Sequence, residues 1–145
     1  MTKRRIAISN RQSRVAVDRR ALRRILGALL AQAAPQAELS VALVGDREMV
    51  ALNERYLGRA ETTDVLAFPY ARSDDCMEGE VVVNADQAAR QAERRGHRAQ
   101  DELLLYAVHG LLHLMGCDDH DPAGRKAMHE RALSVLAEAG RELKS

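Results

Sequence analysis

The chain has 145 residues, long enough for one domain with its own hydrophobic core. Aromatic residues make up only 3% of it, so Leu, Val, Ile and Ala must fill that core. No apolar run is long enough to cross a bilayer, and the basic N-terminus lacks the apolar stretch of a secretory signal. Cys76 and Cys117 show no pairing pattern, which suits a reducing compartment. We therefore expect a cytoplasmic protein without a membrane partner.

The near-neutral net charge of +1 is unevenly distributed. Residues 1–24 hold nine Lys or Arg and one acid, Asp18, so this segment carries +8 and the rest of the chain −7. A second basic cluster, "RQAERRGHR", covers 90–98 and contains His97, a candidate phosphate contact. Such clusters are either solvated helix faces or surfaces that contact phosphates, and the pattern alone does not decide between these.

In the first half of the chain, strands and helices alternate. "RIAIS" reads as a strand, and Asp18 is positioned to cap a helix that runs to about Ala34. "AELSVALVG" has the β-branched, alternating content of a second strand, after which Asp46 opens a short helix to about Tyr56. The first helix has an apolar stripe at helical spacing: Leu22, Ile25, Leu26, Leu29, Leu30 and Ala33.

The second half is mostly helical. "TTDVLAFPY" and "GEVVVN" are two more strands, joined by the polar loop "ARSDDCME". Asn84 or Asp86 caps the next helix, which Gly96 ends. A helix over 99–115 follows and stops at Gly116, and "DPAGRKAMHERALSVLAEAG" forms a final amphipathic helix.

This order, βαβαββααα, predicts an α+β (mixed α/β) fold. We expect a single domain over 1–145, with a four-stranded mixed sheet packed against helices.

The stretch "LLLYAVHGLLHLMG", Leu103–Gly116, carries the chemistry. It is apolar on nearly every side, which indicates a buried helix. Within it, His109 and His113 are four positions apart and project from the same face. Burial disfavours two imidazolium ions, whereas one divalent metal ion satisfies two neutral imidazoles together. The pair therefore predicts a metal site.

A catalytic zinc site needs a third protein ligand and an open position. Gly116 allows a sharp turn after the helix, and His120 follows seven residues after His113. A helical pair followed by a glycine turn also occurs in metzincin proteases. However, Gly110 stands where H-E-x-x-H enzymes have their glutamate base, which disfavours a peptidase. His129 falls on a predicted surface helix and receives no role.

Three segments together resemble the YbeY family of bacterial endoribonucleases. "HGLLHLMGCDDH" is similar to the family signature H-G-x-L-H-L-x-G-Y-D-H, and "LNERYLGRAETTDVLAF" to L-N-x-x-Y-R-x-x-D-x-P-T-D-V-L-S-F. "EGEVVVNADQAARQA" is similar to the L-G-D-I-V-I segment and the helix after it. The order and spacing agree over residues 50–120. The resemblance implies one Zn²⁺ per chain.

The third metal ligand is left open by a one-residue shift. The family's third histidine falls where this chain has Asp119, and His120 comes one residue later. Either the loop has one extra residue and His120 binds, or Asp119 serves as a carboxylate ligand. We favour His120, because an added loop residue costs little and imidazole suits zinc. Asp118 and Asp119 are then candidates for orienting ligands or acting as a base.

In the upstream segment, Thr63 and Asp64 match the family pattern best, and Asp64 becomes a candidate catalytic residue. The family's arginine after the aromatic residue is Leu57 here. Arg55 or Arg59 is close enough in sequence to supply a phosphate-binding charge, and we take Arg59 as a catalytic candidate.

The resemblance implies a single-strand-specific endoribonuclease for 16S rRNA 3′-end maturation and ribosome quality control. The implied partners are single-stranded rRNA, the small ribosomal subunit and an Era-type GTPase. Arg55, Arg59 and the basic N-terminal helix would hold flanking phosphates. The alternatives are a non-catalytic ribosome assembly factor with a structural metal and, less favoured, another metal-dependent hydrolase such as a peptidase.

Overall fold

A computed structural model describes residues 3–117, 120–141 and 143. The elements follow the predicted order. The strands are β1 (Lys3–Asn10), β2 (Gln36–Val44), β3 (Val65–Arg72) and β4 (Cys76–Asn84). The helices are α1 (Arg19–Ala31), α2 (Asp46–Leu57), α3 (Ala85–Arg95), α4 (Ala99–Leu114) and α5 (Pro122–Glu138).

The four strands form one mixed sheet in the order β1-β2-β4-β3. β1, β2 and β4 run parallel, and β3 pairs antiparallel with β4. This confirms the predicted α+β fold with a four-stranded mixed sheet. β1 and β3 are the two edge strands, three strand spacings or about 14 Å apart.

The connection between β3 and β4 is shorter than predicted. The segment "ARSDDCME" was expected to be a polar loop, but most of it pairs as a hairpin and only 73–75 lie outside the strands. At an edge strand, polar side chains face solvent while their backbone pairs. Conversely, the residues from Thr62 to Asp64 precede β3 and do not belong to it.

Helix α1 begins where its cap predicts. The Asp18 carboxylate accepts a hydrogen bond from the Ala21 N–H at 3.0 Å. The helix ends at Ala31, so Ala33 is exposed and Ala34 takes the buried position beyond it. The other five residues of the predicted stripe are buried: Leu22, Ile25, Leu26, Leu29 and Leu30.

Helix α4 lies in the centre of the core, in contact with the sheet and with α1, α3 and α5. It approaches the sheet closely at Gly110, where an added Cβ would lie 2.5 Å from Cγ1 of Val81 and 3.0 Å from Cγ2 of Val65. Past its end, Gly116 has φ +93°, the left-handed turn expected there. Among the helices of the described residues, none combines the length and the hydropathy that a bilayer span requires.

Candidate functional site

His109 and His113 lie one turn apart near the C-terminal end of α4, and both are half-buried. They open into one cavity of about 190 Å³. The cavity lining comes from three parts of the chain: Asp64, Val65, His109, His113, Arg125, Met128 and His129. The helical spacing thus brings both imidazoles to one solvent-accessible space, at the junction of β3, α4 and α5.

Asp64 supplies a carboxylate to the same cavity. Burial raises the pKa of Asp64, and hydrogen bonds from the backbone N–H groups of Val65 and Asp64 oppose this increase, with smaller contributions from Thr63 and His113. Its main chain is fixed, because the Asn84 N–H donates to the Asp64 carbonyl oxygen at 2.9 Å. The Thr63 hydroxyl lies 3.4 Å from Oδ1 of Asp64. The structure therefore brings Asp64 to the histidine pair.

The side chain of Asn84 holds the segment that precedes β3. Asn84 is fully buried at the N-terminus of α3, where its carbonyl oxygen accepts from two N–H groups of the first turn. Its Nδ2 donates to Asp46 Oδ1 at 2.9 Å, Thr62 Oγ1 at 2.8 Å and the Thr63 carbonyl at 3.1 Å. One amide therefore caps α3 and positions the loop that carries Asp64.

A bidentate ion pair extends this network. Arg90 donates to both carboxylate oxygens of Asp46, at 2.6 and 2.8 Å. The hydrogen bonds from Arg90 hold the pKa of Asp46 well below its usual range, with Asn84 and Thr62 acting in the same direction. The pair joins α2 to α3 beside the loop that ends at Asp64.

The prediction that His129 lies on the protein surface was wrong. His129 is half-buried, lines the cavity, and its Nδ1 lies 3.4 Å from Nε2 of His109. Its position on α5 follows the buried stripe of Met128, Ala132 and Leu136, which turns this flank of the helix toward α4. In the sequence, that apolar stripe was the available signal for the position of His129, because a residue next to the stripe lies at the edge of the helix face that packs on α4.

The lining of the cavity does not include His120, which is exposed and just precedes α5. Asp118 and Asp119 lie outside the described residues. Within the ranges that are described, no three His, Cys, Asp or Glu side chains are arranged to bind one metal ion. The cavity nevertheless has the donor chemistry of a zinc site, with half-buried imidazoles and a carboxylate facing one space. The third ligand remains a prediction.

Arg59 is not brought to this cavity. It is exposed in the loop after α2, where its N–H donates to the Asn53 carbonyl. Arg125, in the first turns of α5, is the cation that lines the cavity, and the sequence analysis missed it. No local pattern distinguishes Arg125 from other surface arginines, because its placement depends on how α5 packs on α4.

The basic N-terminal segment is also distant from the cavity. Its described residues lie on β1, on α1 and in the loop between them, and β1 is the edge strand opposite β3. His97, expected to touch phosphate, instead has a buried side chain, with Nδ1 2.8 Å from Oε1 of the fully buried Glu102. That expectation was wrong.

A second cavity, of about 250 Å³, adjoins the first and shares Asp64, His109 and His129 with it. Its outer wall is formed by the polar side chains of α3.

These features define an α+β domain with a histidine-rich centre at one end of its sheet. The solution structure of TM1509 from Thermotoga maritima has the same fold, with a TM-score of 0.62 over 94% of this chain and 92% of that one, at 23% identity. A sequence model of the family described as endoribonuclease YbeY matches residues 7–140. The chain belongs to the endoribonuclease YbeY family.

Curated relatives carry the same description. The endoribonuclease YbeY of Geobacter sulfurreducens is 35% identical over 93% of this chain and 97% of its own length. That of Thermus thermophilus is 38% identical over 79% of this chain and 88% of its own length. The match to the Anaeromyxobacter dehalogenans protein, at 38% identity, spans 84% of this chain but 64% of that protein. The family places the chain among nucleases, hydrolases that cut RNA.

Proposed function

We propose that this chain is a zinc-dependent, single-strand-specific endoribonuclease of the cytoplasm. In this proposal it acts in 16S rRNA 3′-end maturation and ribosome quality control, with the small ribosomal subunit and an Era-type GTPase as partners. The observation that carries the proposal is the shared cavity of His109, His113 and Asp64, in a chain whose relatives are named endoribonucleases.

His109 and His113 would hold the zinc ion, with His120 as third ligand and Asp119 as the alternative. When bound, the metal polarises a phosphate oxygen and lowers the pKa of a water molecule. Asp64 lines the same space and would accept a hydrogen bond from the attacking hydroxyl group.

The remaining site residues would bind and orient the RNA. Arg125 lines the cavity and would pair with non-bridging phosphate oxygens. The Asn84 network holds the backbone at Asp64 in place, so the Asp64 segment is already ordered before the RNA binds. We keep Asp118 and Asp119 as candidates for orienting the ligands or acting as a base, and Arg59 as a candidate phosphate contact from outside the cavity.

The first test is the metal content of the purified chain by elemental mass spectrometry. We expect close to one zinc per wild-type chain, lost in His113→Ala and in His120→Ala and kept in Asp119→Ala. His129→Ala is the matched control, because it removes another half-buried imidazole from the same cavity and is expected to keep the metal. Cleavage of single-stranded RNA by these variants is then measured.

The possible outcomes distinguish the two candidate third ligands and the two candidate functions. Loss of zinc in Asp119→Ala with retention in His120→Ala would assign the third ligand to the carboxylate. A folded, zinc-supplemented wild type without bound metal would contradict the proposal. Bound zinc without RNA cleavage would favour an assembly factor with a structural metal.

A further inference from the structure

The few aromatic side chains of this protein are concentrated at one place. The sequence contains three Tyr, one Phe and no Trp. Tyr56 lies in the last turn of α2, and Phe68 and Tyr70 lie on β3. Only Tyr106, which is buried in α4, lies elsewhere. A chain so poor in aromatic residues thus places two of its four on the edge strand β3 and a third on α2, with its ring beside that of Phe68.

Two of these aromatic side chains are exposed to solvent. Tyr56 is 54% exposed and Tyr70 is 65% exposed. The rings of Tyr56 and Phe68 are 5.2 Å apart and tilted by 56°. Tyr70 follows Phe68 by two positions on β3. Burial raises the pKa of Tyr70, and the nearby Glu80 and Tyr56 act in the same direction.

A groove connects this aromatic edge to the candidate active site. It has a volume of about 380 Å³ and runs around β3, lined by residues that include Leu57, Phe68, Pro69 and His113. His113 also lines the cavity that holds His109 and Asp64. A strand that lies along the groove would therefore reach the histidine pair at one end.

A positively charged side chain, that of Arg55, lies beside one of the aromatic rings. The guanidinium carbon of the exposed Arg55 lies 5.4 Å from the centroid of the Tyr56 ring. Aromatic faces beside arginines are the arrangement by which proteins bind single-stranded nucleic acid, with bases stacked on rings and phosphates near cations.

The same edge is poorly suited to a peptide. A peptide would bind β3 by adding a strand, using the unpaired backbone groups of the edge. Pro69 offers no N–H, and a register shift between Pro69 and Ala71 interrupts the strand at this point. These features block regular strand pairing, whereas stacking on side chains does not need it.

We propose that Tyr56, Phe68 and Tyr70 form a stacking surface for unpaired bases of the RNA that flank the phosphate held near His113. The inference rests on the proposed function and deepens it. It accounts for a preference for single strands, because bases in a duplex are already stacked and cannot reach the rings. The groove orients the strand, and recognition is tolerant of sequence because every base has an aromatic face.

The test is fluorescence anisotropy with a labelled single-stranded oligoribonucleotide, using the full chain with a chelator so that the RNA stays intact. Tyr56→Ala and Tyr70→Ala are expected to weaken binding by about 5- to 150-fold each, and Tyr56→Phe and Tyr70→Phe, the matched controls, to keep it. An abasic oligonucleotide keeps the phosphates and removes the bases. Its binding should be weak and the same for all five proteins.

Cleavage by the zinc-loaded proteins gives the second readout, in which the alanine variants should raise KM more than they lower kcat. Unchanged binding and KM in both alanine variants, with a wild type that cuts RNA, would overturn the stacking surface and leave the nuclease standing. A zinc-loaded wild type that neither binds nor cuts RNA would refute the nuclease, and the stacking surface with it. Loss of binding to small ribosomal subunits, with oligonucleotide binding and KM unchanged, would likewise overturn the stacking of substrate bases on this surface.

Discussion

Gly110→Ala tests how α4 is held against the sheet. The added methyl carbon would lie 2.5 Å from Cγ1 of Val81 and 3.0 Å from Cγ2 of Val65. Neither valine has a flexible end that can move aside, because β-branched side chains are stiff at χ1, and Val81 is buried. The helix itself must therefore shift away from the sheet.

The magnitude follows from two opposing effects. Overpacking a well-packed core costs about 1–3 kcal/mol. Alanine in a helix is favoured over glycine by about 1 kcal/mol. The net effect of Gly110→Ala is a loss of about 0–2 kcal/mol in the free energy of unfolding. A helix displaced toward α5 also moves His109 and His113 relative to Asp64, so RNA cleavage should fall by about 100-fold.

Gly27→Ala in α1 is the matched control. An added Cβ at Gly27 would meet only Cδ1 of Ile6, at 3.9 Å, which is an ordinary contact. That variant should gain up to about 1 kcal/mol from helix propensity alone. The assay is urea unfolding followed by circular dichroism, with both variants and the wild type side by side. If Gly110→Ala were stabilised as much as Gly27→Ala, with unchanged cleavage, the close packing of α4 on the sheet would be refuted.

Asn84→Ala should lower the free energy of unfolding by about 1–3 kcal/mol, since it removes the cap of α3 and the hydrogen bonds that Nδ2 donates. A cleavage assay should show an added loss because Asp64 is released. An effect on stability alone would contradict the positioning role. Asp46→Asn tests the ion pair with Arg90, whose side chains are both about 40% exposed, so it should cost about 1 kcal/mol or less. Because the pKa of Asp46 is lowered on folding, the wild-type advantage is complete above about pH 5. It declines as the pH falls below about 4 and is lost only when the pH falls through the lowered pKa of the folded state. Urea unfolding at pH 7 and pH 3 checks this: the difference in stability should be smaller at pH 3, and a constant difference would refute the prediction. Arg125→Ala should raise KM for RNA and reduce the salt dependence of binding by about 0.7 in log–log slope, whereas an unchanged slope would exclude a phosphate contact.

Local signals predicted most of the fold. Asp18 and Asn84 cap helices through bonds to residues two or three positions away, and Gly96 and Gly116 end helices through their own positive φ. The extent of the β3–β4 hairpin was missed, because the residues on either side of 73–75 owe their strand conformation to pairing across the hairpin, as Ala71 does with Glu78 and Arg72 with Met77.

The residues of the candidate site also differ in whether local sequence signals or tertiary contacts determine their positions. The spacing of His109 and His113 lies within one helix, so the sequence alone places them together. Asp64 was identified through the family resemblance, and its approach to the pair depends on the Asn84 network. Arg125 reaches the cavity only because α5 packs on α4, a tertiary contact that no local pattern encodes. For His129, the buried stripe of α5 beside it was a local signal that the sequence analysis did not use.

Gly110, which lies between His109 and His113 on α4, also bears on the reaction. In H-E-x-x-H enzymes the helix that holds the metal supplies its own base at the second position of the motif. Here that position is Gly110, which faces Val81 and leaves no room even for a methyl group. A glutamate at 110 would point into the sheet, away from any substrate. In the proposed nuclease the carboxylate must therefore come from outside α4, and among the described residues Asp64 lines the cavity with both histidines. In the proposed nuclease, the residue that lets α4 pack closely on the sheet is therefore also the one that keeps a catalytic carboxylate out of the helix.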